Sequence, residues 1–317
     1  MIVIAGIGYV CYGNKMGEKM KKNIVKRVCM VMMTGVMLAG CGKSTDKPAE
    51  QNAPVEAQVE ESADEAESKE ASDGAGAVST ETTSESDFEL GSVGDVIGIV
   101  KYTGSAESVV IPDTIDGVTI TAIGNAFNGN DTIKSVVLPD TVEVIGEATF
   151  MSCYSLESVK MSGNITEIGE NAFFMCDSLK EIVLPEGIRI IGEQAFLGSG
   201  IETLILPTTL EEVGKNALGD IKIQSIVIPA NIKNLVSTFN GCKQLREATL
   251  NEGIEIIGED CFRGCDVLEK VVIPSTVCEI DKDAFAYDTL DNITIITTAG
   301  SYAETYANEN GIPCEIQ

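Results

Sequence analysis

The residues with most chemistry to offer in this 317-residue chain are ten cysteines and a large excess of carboxylates. There is no histidine and no tryptophan. Without histidine the chain lacks the side chain that titrates near neutral pH, the usual general base and the commonest transition-metal ligand. Its many serines and threonines therefore have no such base to activate them. Glu211 and Glu212 are the carboxylates that could act as a glycosidase-like pair, but they fall in turn positions where solvated acids are ordinary. No glycine loop has the spacing that cradles phosphate. No two cysteines form a CxxC pair, so a zinc set is not indicated either. Cys153, Cys176, Cys242 and Cys265 each stand three residues after a phenylalanine, and Ser199, Asn130 and Asp288 fill that slot elsewhere. A slot that accepts Cys, Ser, Asn or Asp suits a small group tucked against turn backbone. Cys261 takes the place held elsewhere by Ala172 or Ala195, which makes it a small buried apolar residue. Disulfides joining Cys153 to Cys176 and Cys242 to Cys265 are the alternative, since stacked neighbours lie about 4.8 Å apart. Cys278 differs. Its slot elsewhere holds Glu143, Arg189, Glu211 or Glu255, so Cys278 is a candidate exposed thiol.

The elements that position these residues follow from a repeat. Phe127, Phe150, Phe173, Phe196, Phe239, Phe262 and Phe285 recur at about 23 residues, with Leu218 filling the one gap. Pro139, Pro185, Pro207, Pro229 and Pro274 keep the same beat. In the unit from Leu179 to Ser199, Leu179, Ile182 and Leu184 alternate inward as a short strand, and Pro185 ends it. Ile188 and Ile191 make a second apolar pair, Gly192 is expected to permit a tight bend, and Ala195-Phe196 point inward. No unit this short can bury its own apolar face, so units must stack into a solenoid with a parallel sheet. The units at 201–222 and 223–244 depart from the pattern, with Leu218 for Phe and Leu235-Val236 for Ile-Gly, which predicts a local irregularity.

The repeat resembles the BspA-like leucine-rich repeats of bacterial surface proteins, through Ile145-Gly146, Ile168-Gly169, Ile191-Gly192 and Ile257-Gly258. The resemblance covers residues 91–317. It implies a right-handed leucine-rich-repeat-like solenoid with a parallel β-sheet on its concave face, few helices and capped ends. Residues 91–130, with Tyr102-Thr103-Gly104, resemble the family's N-terminal cap and first repeat, and 131–296 hold the further repeats. Ser301 to Ala307, within 297–317, resembles the C-terminal cap and reads as a short helix.

The N-terminal segment reads as an address. Lys21, Lys22, Lys26 and Arg27 precede a short apolar run, Val28 to Leu38, that ends in Leu38-Ala39-Gly40-Cys41. This resembles the lipobox of bacterial lipoproteins, which implies cleavage before Cys41 and lipid on its sulfur. Residues 20–40 are then the signal peptide, Met20 is the expected start, and 1–19 are an upstream gene-model artefact. Residues 42–90 carry a net charge of −11 and one aromatic residue, Phe88. They bury too little to offset chain entropy, so 41–90 are expected to be a lipidated, disordered, extended tether.

Residues 91–317 carry the remaining −21 of the chain's net −27, which opposes association with nucleic acid or anionic lipid. On the strands, one outward column reads Val137, Lys160, Val183, Ile205, Val227, Thr249, Val272 and Thr294. A second reads Ser135, Ser158, Glu181, Thr203, Ser225, Glu247, Lys270 and Asn292. β-Branched residues favour strands in any case, but a contiguous apolar column rimmed by hydroxyls also suits a contact face. The expectation is a non-catalytic, extracytoplasmic, surface-exposed and monomeric lipoprotein, anchored through Cys41, with no cofactor and no metal. Its first column binds a host or bacterial surface protein or glycan. A structural envelope or uptake-associated lipoprotein is the alternative, and a carboxylate-based glycoside hydrolase is a third, weaker one.

Overall fold

A computed structural model describes residues 82–285 and 293–317. The expected upstream artefact, the signal peptide, Cys41 and most of the tether lie outside the described residues, as do Asp288 and Asn292. The described chain is a parallel β-solenoid of about nine turns. Most coils contribute a short strand to one face and a two-residue strand to one side. Face strands Ser108–Val110, Ser135–Val137 and Ser158–Lys160 form one sheet. Ser225–Ile228, Glu247–Leu250, Lys270–Val272, Thr294–Thr297 and Cys314–Ile316 form another. Coils pair in parallel register, as in Ser135 with Ser158 and Val227 with Thr249.

The core is a stack of rings. Phe127, Phe150, Phe173 and Phe196 follow one another at centroid spacings of 5.1–5.2 Å, and Phe239, Phe262 and Phe285 at 5.3–5.5 Å. Those spacings approximate the strand separation of a parallel sheet. Both ends prolong the stack. Tyr102 lies 5.2 Å from Phe127, Phe88 lies 5.4 Å from Tyr102, and Tyr306 lies 6.3 Å from Phe285. This corrects the tether boundary. Residues 85–87 form a 3-10 turn, and Phe88–Val93 pairs antiparallel with Val96–Tyr102, so the end of the acidic segment belongs to the fold. Phe88, the lone aromatic of that segment, is what anchors it. Gly104 is glycine because a Cβ there would lie 2.4 Å from the Tyr102 hydroxyl.

The C-terminal helix spans Tyr302–Asn310. The Ser301 hydroxyl accepts from the Glu304 amide at 3.1 Å, and Gly311 closes the helix in the left-handed region at φ 69°. Ala303, Tyr306 and Ala307 cover the last coil.

Gly192 does not make a bend. It has no positive φ; instead, a Cβ would lie 2.6 Å from the Glu170 amide nitrogen of the preceding coil. Glycine here allows coils to approach backbone to backbone. The left-handed turn falls two residues later, at Gln194, as at Ala148, Asn171, Asn216 and Asp260, and one residue later at Asn125 and Ser237, with φ between 52 and 58°. Asn and Asp tolerate that region better than most residues.

Both sheets break in the irregular stretch. The face sheet stops after Ser158–Lys160 and resumes at Ser225–Ile228. Between them, the segments around Glu181 and Thr203 share a single parallel bridge. The side sheet stops after Glu212–Val213 and resumes at Asn234–Leu235. Three departures coincide: Leu218 interrupts the rings, Val236 replaces the close-approach glycine, and the turns Ser199–Ile201 and Ile221–Ile223 are one residue shorter than Cys176–Leu179. The unit from Leu179 to Leu184, which alternates as a strand in the sequence, thus shares with the following coil only that bridge. Its inward residues Leu179, Ile182 and Leu184 stay buried nonetheless.

Candidate functional site: a split strand face

The break shapes the candidate face. Val183, Ile205 and Val227 project from three successive coils and are 74%, 86% and 58% exposed. Val137, Thr249 and Val272 are half-buried and Lys160 is exposed. The register places Val137 beside Lys160, and Val227 beside Thr249 and Val272, in one column.

Thr294 does not belong to it. Lys270 pairs with Thr294 and Val272 with Ile296, so Ile296 continues the column and Thr294 joins the second one. A slip of two residues preserves the inward–outward alternation, so hydrophobic pattern alone could not detect it. Val110, beside Val137, extends the column at the other end.

Between the splayed coils lie two shallow clefts. One, of about 370 Å³, is lined by Glu181, Ile182, Val183, Leu184, Thr203, Leu204 and Ile205. The other, of about 330 Å³, lies between Leu204–Leu206 and Ser225–Val227 and reaches Pro229 and Asn251. Among the described residues, no backbone hydrogen bond joins 182–184 to 204–206 or 204–206 to 226–228. The clefts therefore combine aliphatic walls with strand segments that do not form a continuous ladder across the coils.

The other sequence candidates are dispersed. Glu211 is ion-paired to Arg189 at 2.7 Å. Glu211 and Glu212 are adjacent along extended chain, so their side chains diverge and cannot converge on one bond. Among the described residues no group of three or more metal-ligating side chains is assembled.

The cysteine ladder is structural. Cys153, Cys176, Cys242, Cys261 and Cys265 are buried and free, so the alternative of ladder disulfides is not realised. The thiols of Cys153, Cys176, Cys242 and Cys265 donate to the carbonyls of Phe127, Phe150, Leu218 and Phe239 at 3.0–3.2 Å. Burial pushes Cys153 and Cys242 up to about 12 and raises Cys176, Cys261 and Cys265 as well. The thiolate is the reactive form. Ellman's reagent should therefore leave these five unlabelled in the folded protein and label them on unfolding. Stability should also fall as pH rises from about 8.5, the free thiol value, toward about 12. In that window the unfolded chain loses protons that the folded chain keeps. Urea melts at pH 8 and 10 measure this, and an unchanged midpoint would refute it.

Ser199 occupies the same slot, but its buried hydroxyl has no partner. The C–O bond is shorter than C–S, and the hydroxyl falls short of the carbonyl that cysteine reaches. Ser199→Cys should raise stability by about 1 kcal/mol, read as a shift in urea midpoint. Cys278 stands at its expected edge slot and is half-buried rather than fully exposed, with its thiol 3.5 Å from the Glu255 carbonyl oxygen.

Stacked coils, a ring ladder and a strand-lined face define a leucine-rich repeat solenoid. The chain belongs to the BspA-type leucine-rich repeat family, whose model matches six copies over residues 120–238 and 219–309. A solved leucine-rich repeat protein of T. pallidum is 31% identical, with a TM-score of 0.55 over 59% of this chain and 91% of that one. Another, from Bacteroides ovatus, shares the fold at 21% identity, with a TM-score of 0.56 over 72% of this chain and 65% of that one. No curated protein matches the chain.

Proposed function

We propose that this protein is a non-catalytic binding module, displayed outside the cell and anchored by lipid on Cys41, that contacts a protein or glycan of a host or bacterial surface through its strand face. The exposed row Val183, Ile205 and Val227 carries this reading. Three large aliphatic side chains from successive coils make a contiguous apolar strip, and such strips on soluble domains mark contact sites. They sit on rigid coils whose inward residues are fixed in the core, so binding requires little ordering of the chain.

The protein is to be tested against immobilised matrix proteins and surface polysaccharides. Val183→Lys, Ile205→Lys and Val227→Lys together should reduce binding by about a hundredfold, the scale of a central hot spot, without lowering the melting temperature. Binding that survives the triple substitution would move the site off this face. Mass spectrometry of the mature protein should find a diacylglyceryl group on Cys41; an unmodified Cys41 would remove the anchor from the proposal.

A further inference from the structure

The exposed row belongs to a strongly acidic domain. Residues 91–317 carry net −21. Beside the row, the second column holds Glu181, Thr203, Ser225 and Glu247 on four successive coils. Glu181 lines the first cleft, and Glu247 lies in register with Ser225 on the next strand. Among the described residues neither carboxylate is in an ion pair, whereas the nearby Lys180 is taken by Glu202 at 2.8 Å and Arg246 by Glu269. Lys160 stands one coil before Val183, and Lys270 lies in register beside Glu247 on the next strand, though neither lysine forms an ion pair with Glu181 or Glu247. Two carboxylates outside any ion pair thus flank the three aliphatic side chains, Glu181 on the first of their coils and Glu247 one coil past the last.

The spacing specifies a ligand shape. Glu181 and Glu247 are three coils apart, roughly 14 Å at the strand separation of a parallel sheet. In an extended polypeptide, residues i and i+4 are about 13 Å apart and point the same way, with i+2 between them. We infer that the face takes an extended cationic segment of a partner polypeptide, lying across the strands. Its Lys or Arg residues at i and i+4 meet Glu181 and Glu247, and an aliphatic residue at i+2 seats beside Ile205. The net charge rejects polyanions by the same argument. This inference rests on the binding role proposed above and names the partner's chemistry.

The test is fluorescence anisotropy of the full protein with three dye-labelled peptides of one length. The first has lysines four apart around a central valine, the second has glutamates in their place, and the third has the lysines two apart. The first should bind about tenfold or more tighter than either other, and added salt should erode its advantage. Glu181→Gln with Glu247→Gln should abolish that preference while leaving the melting temperature unchanged. Equal binding of the peptides, or a preference that survives the double substitution, would overturn the inference. Self-association by sedimentation that masks the face would assign it to a second copy and overturn it equally. If a matrix protein or glycan binds wild type but not the Val183→Lys, Ile205→Lys, Val227→Lys protein, and no peptide binds, the cationic segment is wrong while the binding role stands.

Discussion

Phe173→Ala is expected to cost about 3–5 kcal/mol of stability, the range for emptying a fully buried phenylalanine site. Phe173 has no exposed surface and stacks within 5.1 Å of both Phe150 and Phe196. Its loss removes ring contacts on two sides, and neither neighbour can collapse into the space, because each coil is held in place by backbone hydrogen bonds. Phe173 N–H donates to the Ala195 carbonyl, and Phe150 N–H donates to the Ala172 carbonyl. The measurement is a urea melt followed by far-UV circular dichroism. Leu218 already interrupts the stack, so Leu218→Ala should cost less, about 2–4 kcal/mol. Equal or reversed losses at the two sites would mean that the rings act as generic apolar volume and not as a ladder.

Gly192→Val should be at least as damaging, at about 3 kcal/mol or more. A Cβ at this position would stand 2.6 Å from the Glu170 nitrogen and 2.7 Å from the Gly169 carbonyl carbon. Both are backbone atoms of the preceding coil, so no side-chain rotation relieves the clash. Two coils would have to separate, and with them the pairing of Glu167–Ile168 with Ile190–Ile191. Gly163→Ala is the control, because a Cβ there meets nothing within 4 Å. It should be neutral or slightly stabilising, by up to about 1 kcal/mol. A soluble Gly192→Val protein with a wild-type melt would show that the coils can spread. The solenoid already spreads at Val236, which occupies the matching position where the side sheet is interrupted.

The architecture was legible in the linear chain because it depends on periodicity. A phenylalanine every 23 residues and a proline on the same beat can be satisfied only by stacking, and the inward residues Ile182, Leu184, Ile188, Ile191 and Phe196 are all buried. The cysteine slot was readable too, since the mixture Cys, Ser and Asn there describes a small polar group against backbone. What the sequence alone determined, then, was which residues face inward and that coils must stack. The face itself was decided in three dimensions. Pattern cannot separate a strand that pairs from one that is splayed, because Leu179–Leu184 and Ser225–Ile228 alternate alike. Nor can it resolve a two-residue slip, which is why Thr294 stood where Ile296 belongs. Nor can it foresee that Phe88 would join the ring stack from beyond the repeats. The reason is the same each time: burial is a property of one residue and leaves a mark in its type, whereas pairing, register and exposure are relations between coils. Only the assembled stack, with its shortened turns at Ser199–Ile201 and Ile221–Ile223, opened the sheet between Val183 and Val227.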